Sequence, residues 1–279
     1  MRIGLIAGNG KFPFLVLEAA KSLGHDVTVV AIKDEAYPAL ESLAAVGRAS
    51  DVHWISLGQV GRCISILKDA GITKALMAGQ VKHNKLFSVI PDFTALSVLQ
   101  KAATKNTDAL ILAVADVLHD NGIDLMDSTI FLEPLLAKEG YLTSRRPTLD
   151  EEKDLHFGYA VADAIAGLDI GQTIVVKNRA VVAVEAMEGT DEVITRASRL
   201  AGSGVTVIKV AKPSQDMRFD VPVIGLPTIK ILCDIHASAL SVDAGRTLIL
   251  DGDEVFDAAN HADIAIVGRG LQLGKAGAD

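Results

Sequence analysis

Short, unbroken apolar runs alternate with amphipathic stretches through the first half of the chain. The runs at Ile3–Ala7, Val27–Ile32, Val52–Ile55 and Ala75–Ala78 read as strands, and Phe12–Leu23 and Gln59–Ala70 read as helices between them. Strands without an alternating polar face are expected where a parallel sheet is covered on both sides. Further helices follow at about Thr94–Lys101 and Thr107–Asn121, the second opening on Thr107 as N-cap and closing on Gly122. Strand and helix in regular alternation make the fold class α/β, with a Rossmann-like parallel sheet in the N-terminal domain.

The pattern breaks at 140–153, "GYLTSRRPTLDEEK", a polar stretch with a proline between helical segments. It is expected to be a linker between an N-terminal domain, 1–139, and a second α/β domain, 154–279. In the second half, "TIVVKNRAVVAVEA" predicts two strands turning at Asn178–Arg179. Helices are expected at Asp191–Ala201, Thr228–Ala239 and Glu254–His261, and strands at Val205–Val210, Thr247–Leu250 and Ile264–Val267.

Composition narrows the function. The 279 residues carry a formal net charge of −8, which disfavours a nucleic-acid partner, since that needs a clustered basic surface. Two cysteines in apolar contexts, Cys63 and Cys233, point to a reducing cytoplasm rather than a disulfide framework. One basic residue followed by Gly4 is not expected to be a signal peptide, and no apolar window is long enough to span a bilayer. The seven histidines form no H-x-x-x-H or H-x-H pair, and no G-x-S-x-G is present.

Four segments carry candidate chemistry. "GLIAGNGKFP" places Gly8, Asn9 and Gly10 between a strand and a helix, a geometry that suits phosphate. Pro13 stands where a dinucleotide fingerprint wants its third glycine, so the loop does not specify nicotinamide. "MAGQVK" puts Gly79 and Gln80 at another strand end, facing the same crevice. "VEAMEGTDEV" delivers Glu185 and Glu188 to a strand end, followed by Gly189, then Thr190 as an expected N-cap and Asp191 in the first helical turn. "KPSQDMRFD" adds Lys212, Gln215, Asp216, Arg218 and Asp220. Carboxylates that bind Mg²⁺ or Mn²⁺ beside cations that balance phosphate charge are what diphosphate chemistry requires. Each loop alone also reads as an ordinary turn or a solvated polar segment.

Taken in order along nearly the whole chain, "GLIAGNGKFP", "MAGQVK", "LDIGQTIVVKNRAVVAVEAMEGTD", "KPSQDMRFDVPVIG" and "AGRTLIL" resemble one family. It is the metal-dependent UDP-2,3-diacylglucosamine pyrophosphatases of lipid A biosynthesis, the two-domain form distinct from the calcineurin-like enzymes. The resemblance implies hydrolysis of UDP-2,3-diacylglucosamine to UMP and 2,3-diacylglucosamine 1-phosphate in a cleft between a Rossmann-like and a catalytic domain. It implies an essential role for Asp220 and a substrate-facing helix start at Thr107–Asp108. Gln80 stands where an asparagine is expected. Asp216 is an additional acid near the "KP-x-Q" pattern.

The resulting expectations are specific. Asp220, Glu188 and Asp191 hold the metal. Asp220, Glu185, Glu188, Lys212 and Arg218 carry the chemistry. Gly8, Asn9, Gly10, Gly79, Gln80, Thr107, Asp108, Gly189, Thr190 and Gln215 contact the substrate. The substrate is a lipid-linked nucleotide-sugar in the cytoplasm, with room for peripheral contact with the inner membrane and for a homo-oligomer. Two other readings are a nicotinamide-dependent oxidoreductase and a nucleotide-sugar binding protein without turnover.

Overall fold

The computed structural model describes residues 1–45, 51–81, 91–101, 107–213 and 215–270. Its contacts divide the chain into two units. The first is Met1–Glu133 together with Asp216–Asp220, and the second is Pro134–Gln215 with Val221 onward.

In the first unit, β1 (Arg2–Ala7), β2 (Asp26–Ile32), β3 (Val52–Ile55), β4 (Lys74–Ala78) and β5 (Asp124–Leu125) form a parallel sheet in the order β3-β2-β1-β4-β5. The order reverses between β1 and β4, the topological switch point of such sheets. Around it run α1 (Phe12–Ser22), α2 (Ala39–Ala45), α3 (Val60–Asp69), α4 (Phe93–Lys101) and α5 (Thr107–Asp120). Val30, Ile32, Ile55, Leu67, Ala75 and Leu118 are among the buried residues of one of its core clusters. The apolar runs of the inner strands β1 and β4 follow from this burial, while the edge strand β3 keeps His53 exposed.

The second unit holds a six-stranded sheet, ordered β6-β13-β11-β9-β7-β8. Its strands are β6 (Gly140–Tyr141), β7 (Thr173–Lys177), β8 (Ala180–Val184), β9 (Thr206–Lys209), β11 (Ala239–Asp243) and β13 (Ala265–Arg269). β10 (Val223–Ile224) and β12 (Leu248–Ile249) make a separate parallel pair. Ile174, Val176 and Ile208 pack with Leu155 and Ala162 of α6 (Leu149–Gly167). Val175 and Val207 turn the other way, into a core shared with α7 (Thr190–Ala201), α8 (Leu226–Asp234) and α9 (Asp253–His261). Successive strand side chains point to opposite faces, so each strand supplies both layers.

Asn178 and Arg179 turn the β7–β8 hairpin with φ of 50° and 59°, the left-handed pair that matches strand twist in a tight hairpin. The buried Asp154 carboxylate of α6 accepts both turn amides, at 3.0 Å from Asn178 N and 2.5 Å from Arg179 N.

Three expectations need correction here. Residues 140–153 are built into the second unit and do not link two domains. Gly140–Tyr141 pairs antiparallel with β13, and Arg145 forms a two-pronged bond to Glu151 at 2.8 and 3.1 Å. Arg145 also donates to the carbonyls of Asp263 and Ser238. Thr148 and Glu151 close a reciprocal capping box that starts α6. The helix expected over Thr228–Ala239 ends at Asp234, His236 takes φ 51°, and Ala239 opens β11, an interior strand of the sheet. The helix α2 at Ala39–Ala45 was not anticipated.

Candidate active site

Beyond the ends of β1 and β4 the two chains keep bonding across the switch point. Gly8 N donates to Ala78 O at 2.8 Å, Asn9 N to Gln80 O at 2.7 Å, and Gln80 N to Asn9 O at 3.0 Å. A Cβ on Gly8 would stand 2.6 Å from Gln80 O, and one on Gly79 2.5 Å from Asn9 O. Glycine is therefore required at 8 and 79 for the two loops to touch each other. The amides of Gly8 and Asn9, expected to face a phosphate, are spent on this bridge. Gly10, at φ 98° with open space beside it, is the part of the loop not crowded by other atoms.

To this edge the chain brings a segment from far downstream. Asp216–Asp220 leaves the second unit's sequence and packs as part of the first. It is a tight turn: Asp216 O accepts Phe219 N at 3.1 Å and Asp220 N at 2.9 Å. The Asp216 carboxylate grips the Arg218 guanidinium, 2.9 Å from Nε and 2.6 Å from Nη2. That bond holds the Asp216 carboxyl below the usual range and raises Arg218. Asp216 is thus committed to its neighbour. The turn meets the sheet at Ser128, a buried residue after β5, whose hydroxyl lies 2.5 Å from Met77 O and 2.6 Å from Arg218 O. Asp220, expected in the catalytic domain, lies in the excursion, which packs with the first unit.

The other candidates belong to the second unit and are engaged there. Glu185 is buried, with Oε1 accepting Thr190 Oγ1 at 3.0 Å and Oε2 facing Gln172 N at 3.3 Å. Thr190 is not the N-cap. Gly189 fills that position at φ 87°, and Thr190 Oγ1 accepts Lys209 Nζ at 2.7 Å. Thr190 so links a buried lysine to a buried carboxylate. Lys209 was missed, although a lone lysine inside "VTVIKVA" is a visible signal of a charge with a partner. Glu188 pairs with Arg196 at 2.6 Å and accepts Ala186 N, and the Arg196 bond holds its carboxyl below the usual range. Asp191 accepts Thr228 Oγ1 at 2.9 Å, tying α7 to α8. Lys212 pairs with Asp169 at 2.7 Å, and Gln215 Oε1 accepts Lys212 N at 2.8 Å. Thr107 and Asp108 begin α5 as expected, but their side chains lie outside the described residues.

The expected metal set does not fit. Among the described residues no three Asp, Glu, His or Cys side chains converge to hold an ion. Glu188 is occupied by Arg196 and Asp191 by Thr228. Nor does a thiol nucleophile suggest itself, since burial pushes Cys63 up to about 12.

Comparison with known proteins places this architecture. The LpxI N-terminal domain model matches residues 2–135, and the LpxI C-terminal domain model matches 138–267. The chain belongs to the LpxI family. A curated LpxI relative, the UDP-2,3-diacylglucosamine pyrophosphatase of Caulobacter vibrioides (strain ATCC 19089 / CIP 103742 / CB 15), is 29% identical over 279 residues. The match covers 96% of this chain and 97% of the relative. Among solved structures, a biotin carboxylase domain of a thermophilic 2-oxoglutarate carboxylase matches at 16% identity and TM-score 0.23. That match covers 62% of this chain and 34% of that one. The biotin carboxylase subunit of a pyruvate carboxylase matches at 17% identity and TM-score 0.24, covering 71% and 41%. At those scores neither likeness bears on the LpxI fold. No helix among the described residues is long and apolar enough to cross a membrane.

Proposed function

We propose that this LpxI chain hydrolyses the diphosphate of UDP-2,3-diacylglucosamine, releasing UMP and 2,3-diacylglucosamine 1-phosphate. The substrate comes from the name of the Caulobacter relative, matched end to end. The observation that carries the site is the excursion. A turn bearing Arg218 and Asp220 is held against the Met77 carbonyl, two residues before Gly79, on the edge closed by Gly8–Asn9.

Asp220 is the group that orients water and accepts its proton as the oxygen attacks phosphorus. The P–O–P bridge opens, one phosphate taking the water oxygen and the other keeping the bridging oxygen. Arg218, already oriented by Asp216, balances the charge that builds on the leaving phosphate. Gly10 and the Gln80 amide contact the nucleotide-sugar. The reaction is proposed to use Mg²⁺ or Mn²⁺. A cytoplasmic protein in peripheral contact with the inner membrane suits a diacylated substrate.

Incubation of the purified chain with UDP-2,3-diacylglucosamine, with UMP quantified with and without chelator, tests the reading. UMP and the lipid phosphate in equal amounts are expected, with loss of turnover in chelator. Saturable binding without UMP under any metal would leave a binding protein instead. Full activity in excess chelator would remove the metal from the scheme.

A further inference from the structure

Ser128 bonds the excursion to the first unit. Ser128 is 1% exposed. Its N–H donates to Met217 O at 2.9 Å, and its hydroxyl lies between Met77 O at 2.5 Å and Arg218 O at 2.6 Å. The loop that presents it is itself braced, since Asp127 Oδ1 accepts Thr129 N at 2.7 Å and Thr129 Oγ1 at 2.6 Å. Asp220 hangs from a turn closed by its own N–H on Asp216 O, and Ser128 touches two of the three carbonyls between them, those of Met217 and Arg218.

We propose that Ser128 is the positioning residue for Asp220, its hydroxyl and amide docking the 216–220 turn on the end of β4. The proposal rests on the reading of Asp220 given above. A single hydroxyl proton shared by two carbonyls, one from the sheet and one from the turn, has no substitute in alanine. The carbonyls would be left without that donor, while the Met217 bond would remain. Reacting groups must hold their geometry within a fraction of an ångström, so a loosened turn costs turnover before it costs affinity.

The test compares wild type with Ser128→Ala and Ser128→Thr, the second keeping the hydroxyl. Should the extra methyl of threonine impair folding, Ser128→Cys, with a weak S–H donor, takes its place and should fall between the other two. Peptide-resolved hydrogen exchange and steady-state kinetics on UDP-2,3-diacylglucosamine are measured together. Ser128→Ala should speed exchange in 216–220 more than in the rest of the first unit. It should lower kcat by a factor on the order of ten or more, with KM within about twofold. Ser128→Thr should restore most of both. Unchanged exchange in 216–220, exchange raised uniformly over the unit, or faster local exchange with unchanged kcat each overturns the proposal. A wild-type chain without turnover overturns the proposed function instead, and the exchange comparison still decides whether Ser128 holds the turn.

Discussion

Replacing Gly79 by alanine separates two costs that a glycine substitution usually mixes. At φ 90° an L-residue pays about 1–2 kcal/mol of backbone strain. The new Cβ would also stand 2.5 Å from Asn9 O and 2.8 Å from Gly8 C, both backbone atoms that cannot swing away. The Asn9–Gln80 bridge must then open, losing two hydrogen bonds of 2.7 and 3.0 Å at about 1 kcal/mol each. The sum is about 3–4 kcal/mol, a large share of a domain stability of about 5–15 kcal/mol. Gly10→Ala is the control. Its φ of 98° brings the same strain, but nothing lies within 4 Å of the added carbon. Its cost should stay near 1–2 kcal/mol. The chain's one tryptophan, Trp54, lies in β3 of the same sheet, so urea unfolding followed by its fluorescence reports on this unit. With a slope of about 1–3 kcal/mol per M, Gly79→Ala should unfold about 1 M earlier than Gly10→Ala. Equal midpoints, or a lower one for Gly10→Ala, would refute the bridge as the reason for these glycines.

Other tests follow from the second unit. Limited trypsin digestion should spare Arg145, which is 20% exposed and bonded to Glu151, Asp263 and Ser238; early cleavage after it would restore the linker. Asp243→Ala should destabilise the unit by about 3 kcal/mol in calorimetry, because buried Arg269 loses one of its two carboxylate partners, Asp243 at 2.6 Å and Asp163 at 2.8 Å. The same substitution removes the acceptor of Ala211 N, at the start of the loop that leads to the excursion. A loss below about 1 kcal/mol would contradict the network's role. Burial raises the Glu151 carboxyl, but the Arg145 guanidinium and the Thr148 amide outweigh it and hold the group below its ordinary 4.5. A depressed carboxyl stabilises the fold above its unfolded value and loses that contribution as pH falls below it. The stability gap between wild type and Glu151→Gln should therefore be constant above about pH 5 and shrink below 4.5; a gap that widens in acid would reverse the sign.

The sequence was most legible where burial is two-sided. Four of the five strands of the first sheet stand within a residue of the apolar runs, with only Thr28 and His53 as polar positions inside them, whereas the two-residue β5 was not anticipated. β11 was lost because "ILCDIHASALSVD" is apolar enough to continue a helix, and only the left-handed His236 breaks it. Residues 140–153 look exposed by composition, yet "TLDE" within them is a capping-box signature that marks a helix start. The glycine loops were located correctly at strand ends, but their partners are each other, a fact that lives in the β1–β4 register. The excursion was not legible. What carries Asp216–Asp220 onto the first unit is backbone carbonyls meeting Ser128, with Arg218 and Ser128 90 positions apart, and no side-chain pattern encodes that. The partners of the acidic cluster were illegible for a related reason. Strand ends collect carboxylates for capping and ion pairing as readily as for metals, and only the partners Arg196, Thr190 and Thr228 reveal which use prevails.

The central claim is that the turn at 216–220 performs the hydrolysis through Asp220. Asp220→Asn keeps the shape and the backbone bond to Asp216 while removing the charge that takes a proton from water. Steady-state release of UMP from UDP-2,3-diacylglucosamine, measured on wild type and on the variant with matched unfolding curves, tests it most directly. The expected result is a fall in kcat on the order of a hundredfold or more with KM little changed. Turnover near wild type in a well-folded Asp220→Asn would contradict it.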